Sequence, residues 1–149
     1  MDSMAVSFSI LPAIIFSSFD PLGTNWSSRF RFVVWLNLED CAISEITMAE
    51  LIFGAENSPN PKKNYKIIDY FSGQLKILPI FNSIHIYAKE KMRSRKTGIM
   101  ISDFDLLIGS TAIANGLILI TENVKECERI PGIEIENWYS DEAQLATMY

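Results

Sequence analysis

Carboxylates stand at three places along this chain where chemistry could use them. Asp103 and Asp105 lie in "ISDFDLLIGSTA", directly ahead of an apolar run; Glu50 follows the apolar stretch "CAIS"; Glu122 and Glu126 follow "LILIT". Carboxylates gathered in one place repel each other, and a cation neutralises them best. Oxygen-only ligands select a hard ion, Mg2+ or Mn2+, and such ions commonly position a water to attack a phosphodiester. The same acids have a structural alternative. Thr47-x-x-Glu50 and Ser102-x-x-Asp105 both carry capping-box spacing, in which an acid reaches back to the helix N-cap. Acids in a first turn also complement the helix dipole. Spacing alone leaves both roles open.

Something must bring these acids together. "CAIS" reads as a short buried strand, and "EITMAELIFGAENS" as a helix with Ile46, Ala49, Ile52 and Phe53 on one apolar stripe and Glu50 in its first turn. "NSPNPKKN" (57 to 64) is a loop, "YKIIDYFSGQL" a helix and "KILPIF" a strand. "NSIHIYAKEKMRSRKTG" reads as a helix with Asn82 as N-cap and Gly98 as terminator. The helix that Asp103 opens ends at Gly116, suited to the left-handed position past a helix end. "LILIT" has the continuous apolarity of a parallel strand covered on both faces. "ENVKECERI" is a short helical turn, "PG" a turn and "IEIENW" an alternating, edge-like strand. The alternation predicts one α/β domain over 1–149, with a central, mostly parallel sheet and helices on both faces. In such a sheet ligands bind beyond the carboxyl ends of the strands. Three strand-to-helix junctions then deliver Glu50, Asp103 with Asp105, and Glu122 with Glu126 to the same edge.

The bulk properties narrow the classes. A chain of 149 residues, 48% hydrophobic and 21% charged, suits one globular domain and not a disordered one. A net charge of −5 argues against a generally basic nucleic-acid-binding surface. It leaves room for a local one: Lys89, Lys91, Arg93, Arg95 and Lys96 crowd one helix, as a solvated face or as an RNA-backbone contact through Lys91, Arg93 and Arg95. Cys41 and Cys127 have neither the number nor the spacing for a zinc site or a disulfide framework, which fits a reducing cytoplasm. "AVSFSILPAIIFSSF" follows Asp2, where a signal peptide has positive charge, and is too short and interrupted to span a bilayer. His85, the one histidine, lies between apolar residues with no evident Ser or Cys partner and reads as structural. No glycine-rich phosphate loop is present in the sequence.

"ISEITMAELIFGAENS" and "DFDLLIGSTAIANGLILITENVKECERIPGIEIENW" resemble the PIN domains of bacterial VapC-type toxins. The second block follows that family's D-x-L-I-A-A-T-A, L-x-T-x-N-x-x-D/E-F and closing N-W pattern. Gly109-Ser110 replaces Ala-Ala, and Cys127 replaces an aromatic. The likeness runs from about Leu38 to Trp138. It implies a PIN-like three-layer fold and a metal-dependent endoribonuclease that hydrolyses RNA with Mg2+ or Mn2+. By similarity, Glu50, Asp105 and Glu126 are the family's second, third and fourth acids, catalytic through the metal they hold. Thr121 and Asn123 fall on the supporting T-x-N, with Asp103 beside Asp105. The family further implies a homodimer, a VapB-like antitoxin partner and a cytoplasmic location.

One departure is large. The family's first strand ends in a metal-binding aspartate within L-L-D-T-N, whereas "SFSILPAIIFSSF" contains no acid. Asp20, the nearest, precedes Pro21 in what reads as a turn. Codons for Val6 to Leu11, read one nucleotide back, permit Phe-Leu-Asp-Thr, so residues from about 6 to 37 read as a frame-shifted stretch. The alternative function is a catalytically impaired PIN-fold module that binds antitoxin or RNA without cleaving.

Overall fold

Short apolar runs supply the strands. They are β1 (Val6–Phe8), β2 (Cys41–Ser44), β3 (Lys76–Leu78), β4 (Ile118–Ile120) and β5 (Ile135–Glu136). This computed structural model describes the backbone of 6–8 and residues 41–121 and 123–137. Asp20, Glu122 and Trp138 lie outside the described residues. The strands form one sheet in the order β3-β2-β1-β4-β5, every pairing parallel, with Phe8 beside Ile120 and Ile43 beside Ile77. All four residues of β2 are buried, as a strand covered on both faces requires. β5 takes the edge its alternating sequence suits.

The helices are α1 (Glu45–Glu56), α2 (Pro61–Ser72), α3 (Ile84–Thr97), α4 (Asp103–Asn115) and the single turn α5 (Val124–Cys127). Several local expectations are corrected. Ser44, not Thr47, caps α1: its hydroxyl accepts the Thr47 N–H at 3.0 Å. The helix therefore starts earlier, and Glu50 falls in the second turn rather than the first. The buried face of α1 is Thr47, Leu51, Gly54 and Ala55, while Phe53 is 65% exposed. A helix this apolar all round has no periodicity sharp enough to show which side faces inward. α2 begins inside the stretch read as a loop, because Pro61 sits at its start, where a missing N–H costs nothing, and Asn60 Oδ1 accepts the Lys63 N–H at 3.2 Å. Asn82 lies within a 3-10 turn (Phe81–Ser83) and does not cap α3. His85 is exposed on α3. Gly98 and Gly116 do terminate α3 and α4, at φ +70° and +62°.

α4 follows α3 through residues 98–102, so it is reached from a helix and not from a strand. Its position is fixed by packing. Ile108 and Ala112 bury against Leu119 and Cys127, and Leu106 against Ile101 and Ile130. Each such large apolar side chain contributes about 1.5–3 kcal/mol by leaving water. These contacts set the start of α4 beside the carboxyl end of β4.

The strand order has a functional consequence. From β1 the chain moves outward through β2 to β3, then returns past β1 to β4 and β5. Connections therefore leave β1 and β4 in opposite directions, which makes the carboxyl ends of these strands the switch point where open parallel sheets place their ligand crevice.

Candidate active site at the sheet switch point

Asp105 stands at this switch point, next to the residues that follow β4. Ser102 caps α4, its hydroxyl accepting the Asp105 N–H at 3.1 Å. That hydroxyl also donates to Asp105 Oδ2 at 2.6 Å. Asn123, just past β4, donates from Nδ2 to the same oxygen at 3.1 Å. Asn123 is held in turn by Thr121, whose buried hydroxyl accepts the Asn123 N–H at 3.0 Å. Thr121 and Asn123 thus reach Asp105 through one chain of hydrogen bonds.

Two further carboxylates crowd Asp105. Glu126 Oε2 accepts the Ser102 N–H at 3.4 Å, and its charge acts on Asp105. Burial, the larger cause, and then Glu126 hold the Asp105 carboxyl above the ordinary carboxylate range, against the hydrogen bonds from Ser102 and Asn123. Glu50 approaches from α1, its pKa raised to about 7 by burial first and the Asp105 charge second. Cys127 is pushed up to about 12, chiefly by burial and then by Asp105, so it stays a neutral thiol. The three acids Glu50, Asp105 and Glu126 therefore form one electrostatic unit centred on Asp105.

Asp103 is not part of it. Its Oδ1 accepts from the Tyr87 hydroxyl at 3.2 Å and pairs with Lys91 Nζ. The Lys91 hydrogen bond, chiefly, holds its carboxyl below the usual range. Asp103 ties α4 to α3 instead. Arg93 is likewise engaged, donating to Glu90 Oε2 at 2.5 Å and to the Arg129 carbonyl at 2.5 Å. Ser102 belongs to the site by its contacts with Asp105 and Glu126, although its sequence spacing spoke only of capping. Its S-x-x-D signature was visible; that its N–H reaches Glu126 was not.

The donor set suits a hard divalent cation in kind: carboxylates, with hydroxyl and amide oxygens nearby. Among the described residues, however, no three His, Cys, Asp or Glu side chains come close enough together to hold a metal ion. β1 ends at Phe8, level with Ile120 and so just short of Thr121, and the next residue in the sequence is Ser9, not an acid. Among the described residues no helix is long and apolar enough to cross a membrane.

Comparison with known proteins places the chain by family and fold. The PIN domain family model matches residues 27–132, beginning earlier than the motif likeness at Leu38. The chain is 36% identical over 104 residues to the tRNA(fMet)-specific endonuclease VapC of Salmonella typhimurium, spanning 69% of this chain and 79% of that protein. It is 38% identical over 98 residues to Ribonuclease VapC2 of Rickettsia felis, spanning 65% and 73%. In fold it is similar to the crystal structure of DNA-bound VapBC from Salmonella typhimurium, with a TM-score of 0.73 at 30% identity, covering 91% of this chain and 99% of that one.

Proposed function

The chain belongs to the PIN-domain family of VapC-type toxins, and from that premise we propose that it is an endoribonuclease acting at the Asp105 crevice. The observation that carries the proposal is the fixed geometry of Asp105. It is clamped by Ser102 and Asn123 and flanked by two acids, at the crevice where a parallel sheet binds ligands. By family resemblance Glu50, Asp105 and Glu126 would hold Mg2+ or Mn2+, and they would have to draw closer together to do so, since in the metal-free fold they do not form a ready-made site. The chemistry such an ion supplies is a more acidic water and charge stabilisation at the scissile phosphate. Thr121 and Asn123 keep Asp105 in position, and Ser102 couples it to Glu126. Hydrolysis of RNA in this way needs no covalent enzyme intermediate. We further propose that residues 1–149 form a single PIN-like domain, that it acts in the cytoplasm as a homodimer, and that a VapB-like antitoxin restrains it, as the VapBC likeness suggests.

A second reading has its own observation. Ser9, not an acid, follows β1 in the sequence. On that reading the chain is an impaired module that binds RNA or antitoxin without cutting, and residues from about 6 to 37 derive from a shifted frame. One experiment separates the two. RNA is offered to the full chain in Mg2+ or Mn2+ and in EDTA, with Asp105→Asn alongside. Cleavage that needs both metal and Asp105 supports the enzyme. No cleavage by the parent chain, with cleavage restored by rebuilding an N-terminal Leu-Leu-Asp-Thr strand, supports the impaired module.

A further inference from the structure

We infer that Phe104 is a stacking platform for a base of the RNA strand, set between the cations of α3 and the carboxylates; the inference rests on the RNA-directed function proposed above. Phe104 lies between Asp103 and Asp105 in the first turn of α4, yet it is 53% exposed. Deeper in the same helix Leu106, Ile108 and Ala112 are at most 3% exposed. The ring is thus an apolar surface that the core does not use.

Its direction matters more than its exposure. With 3.6 residues per turn, successive helix residues are rotated by about 100°. Asp103 faces α3, where Lys91 and Tyr87 hold it. Asp105 faces Asn123 and Glu126. Phe104 stands on the arc between them, in solvent. A strand that lies across both α3 and the acidic crevice passes over this ring.

The α3 side supplies a phosphate partner. Lys91 is committed to Asp103, and Arg93 to Glu90 and the Arg129 carbonyl. Arg95 stands four residues beyond Lys91, on the same helix face, and its charge is felt at Asp103. Among the described residues its side chain makes no hydrogen bond or ion pair. An exposed aromatic ring one residue from Asp103, and a guanidinium whose charge is felt at Asp103, match a nucleotide of single-stranded nucleic acid, which presents a flat base and a phosphate together. Every base has such a face, so Phe104 contributes affinity and not sequence choice.

The test uses the full chain and a fluorescein-labelled single-stranded RNA. Phe104→Ala is compared with Phe104→Trp and Arg95→Gln, following cleavage in Mn2+ and binding by anisotropy in EDTA. Stacking on one ring is worth about five- to a hundredfold in affinity, so Phe104→Ala should raise KM and Kd by that factor with kcat nearly unchanged. Phe104→Trp should restore both, with its indole fluorescence quenched by the RNA. Arg95→Gln should lower the salt dependence of binding by about one phosphate contact. Unchanged KM and Kd in Phe104→Ala, with cleavage intact, overturn this inference and leave the nuclease standing. Unchanged RNA binding with lost capture of a VapB-like peptide assigns the ring to a protein interface and equally overturns it. A parent chain that neither cuts nor binds RNA overturns both.

Discussion

Asn123 Nδ2 donates to Asp105 Oδ2 at 3.1 Å, joining the turn after β4 to the first turn of α4. Two segments far apart in sequence thereby fix one carboxylate. Asn123→Asp keeps the shape but replaces a donor with a fourth negative group beside three acids. The metal-free protein should lose about 1–3 kcal/mol, since a hydrogen bond is exchanged for repulsion. Urea denaturation in EDTA checks this, and added Mn2+ should narrow the gap between variant and parent.

Glu50 makes the metal-free protein sensitive to pH. Its folded pKa is about 7, above the ordinary value of 4.5 that applies in the unfolded chain. Below pH 4.5 it is protonated in both states and opposes folding least. As pH rises from there through about 7, the unfolded state gains an ionised carboxylate that the folded state resists, and stability falls. Thermal midpoints in EDTA should therefore drop between pH 5 and pH 8. Glu50→Gln should flatten that slope and raise the midpoint at pH 8, while removing cleavage.

Much of this arrangement could be read from residue types. Continuous apolar runs such as "LILIT" have few alternatives to a covered parallel strand, and Ser102-x-x-Asp105 with Gly116 bounded α4 correctly. The failures share a cause: local pattern was ambiguous and packing decided. Ser44 and Thr47 are both competent caps, and only the end of β2 at Ser44 selects between them. Nothing in "DFD" says which aspartate turns toward β4, because that depends on where α3 lies.

Asp103 and Asp105 should therefore differ sharply when neutralised. Asp103→Asn breaks the pairing with Lys91 and should leave cleavage within a fewfold of the parent. Asp105→Asn removes the carboxylate at the centre of the site and should cost at least the roughly 10- to 100-fold that loss of a residue supporting a metal site costs. Comparable losses in both would show that Asp103 leaves its partner Lys91 and joins the site when RNA binds.

Gly109 stands where the family pattern has alanine, and its surroundings explain the smaller residue. A Cβ there would lie 2.6 Å from Ile130 Cδ1 and 3.1 Å from Ile133 Cδ1. Ile130 is 1% exposed, so its side chain has little room to turn away. Overpacking of this kind costs about 1–3 kcal/mol, against which alanine returns about 1 kcal/mol of helix propensity. Gly109→Ala alone should be neutral to destabilising. In an Ile130→Val background the closer clash is gone and only the 3.1 Å contact with Ile133 Cδ1 remains, so the same change should be less destabilising than in the parent. A double-mutant cycle by urea denaturation reads the difference, and additive effects would show that Ile130 moves freely enough to admit the methyl.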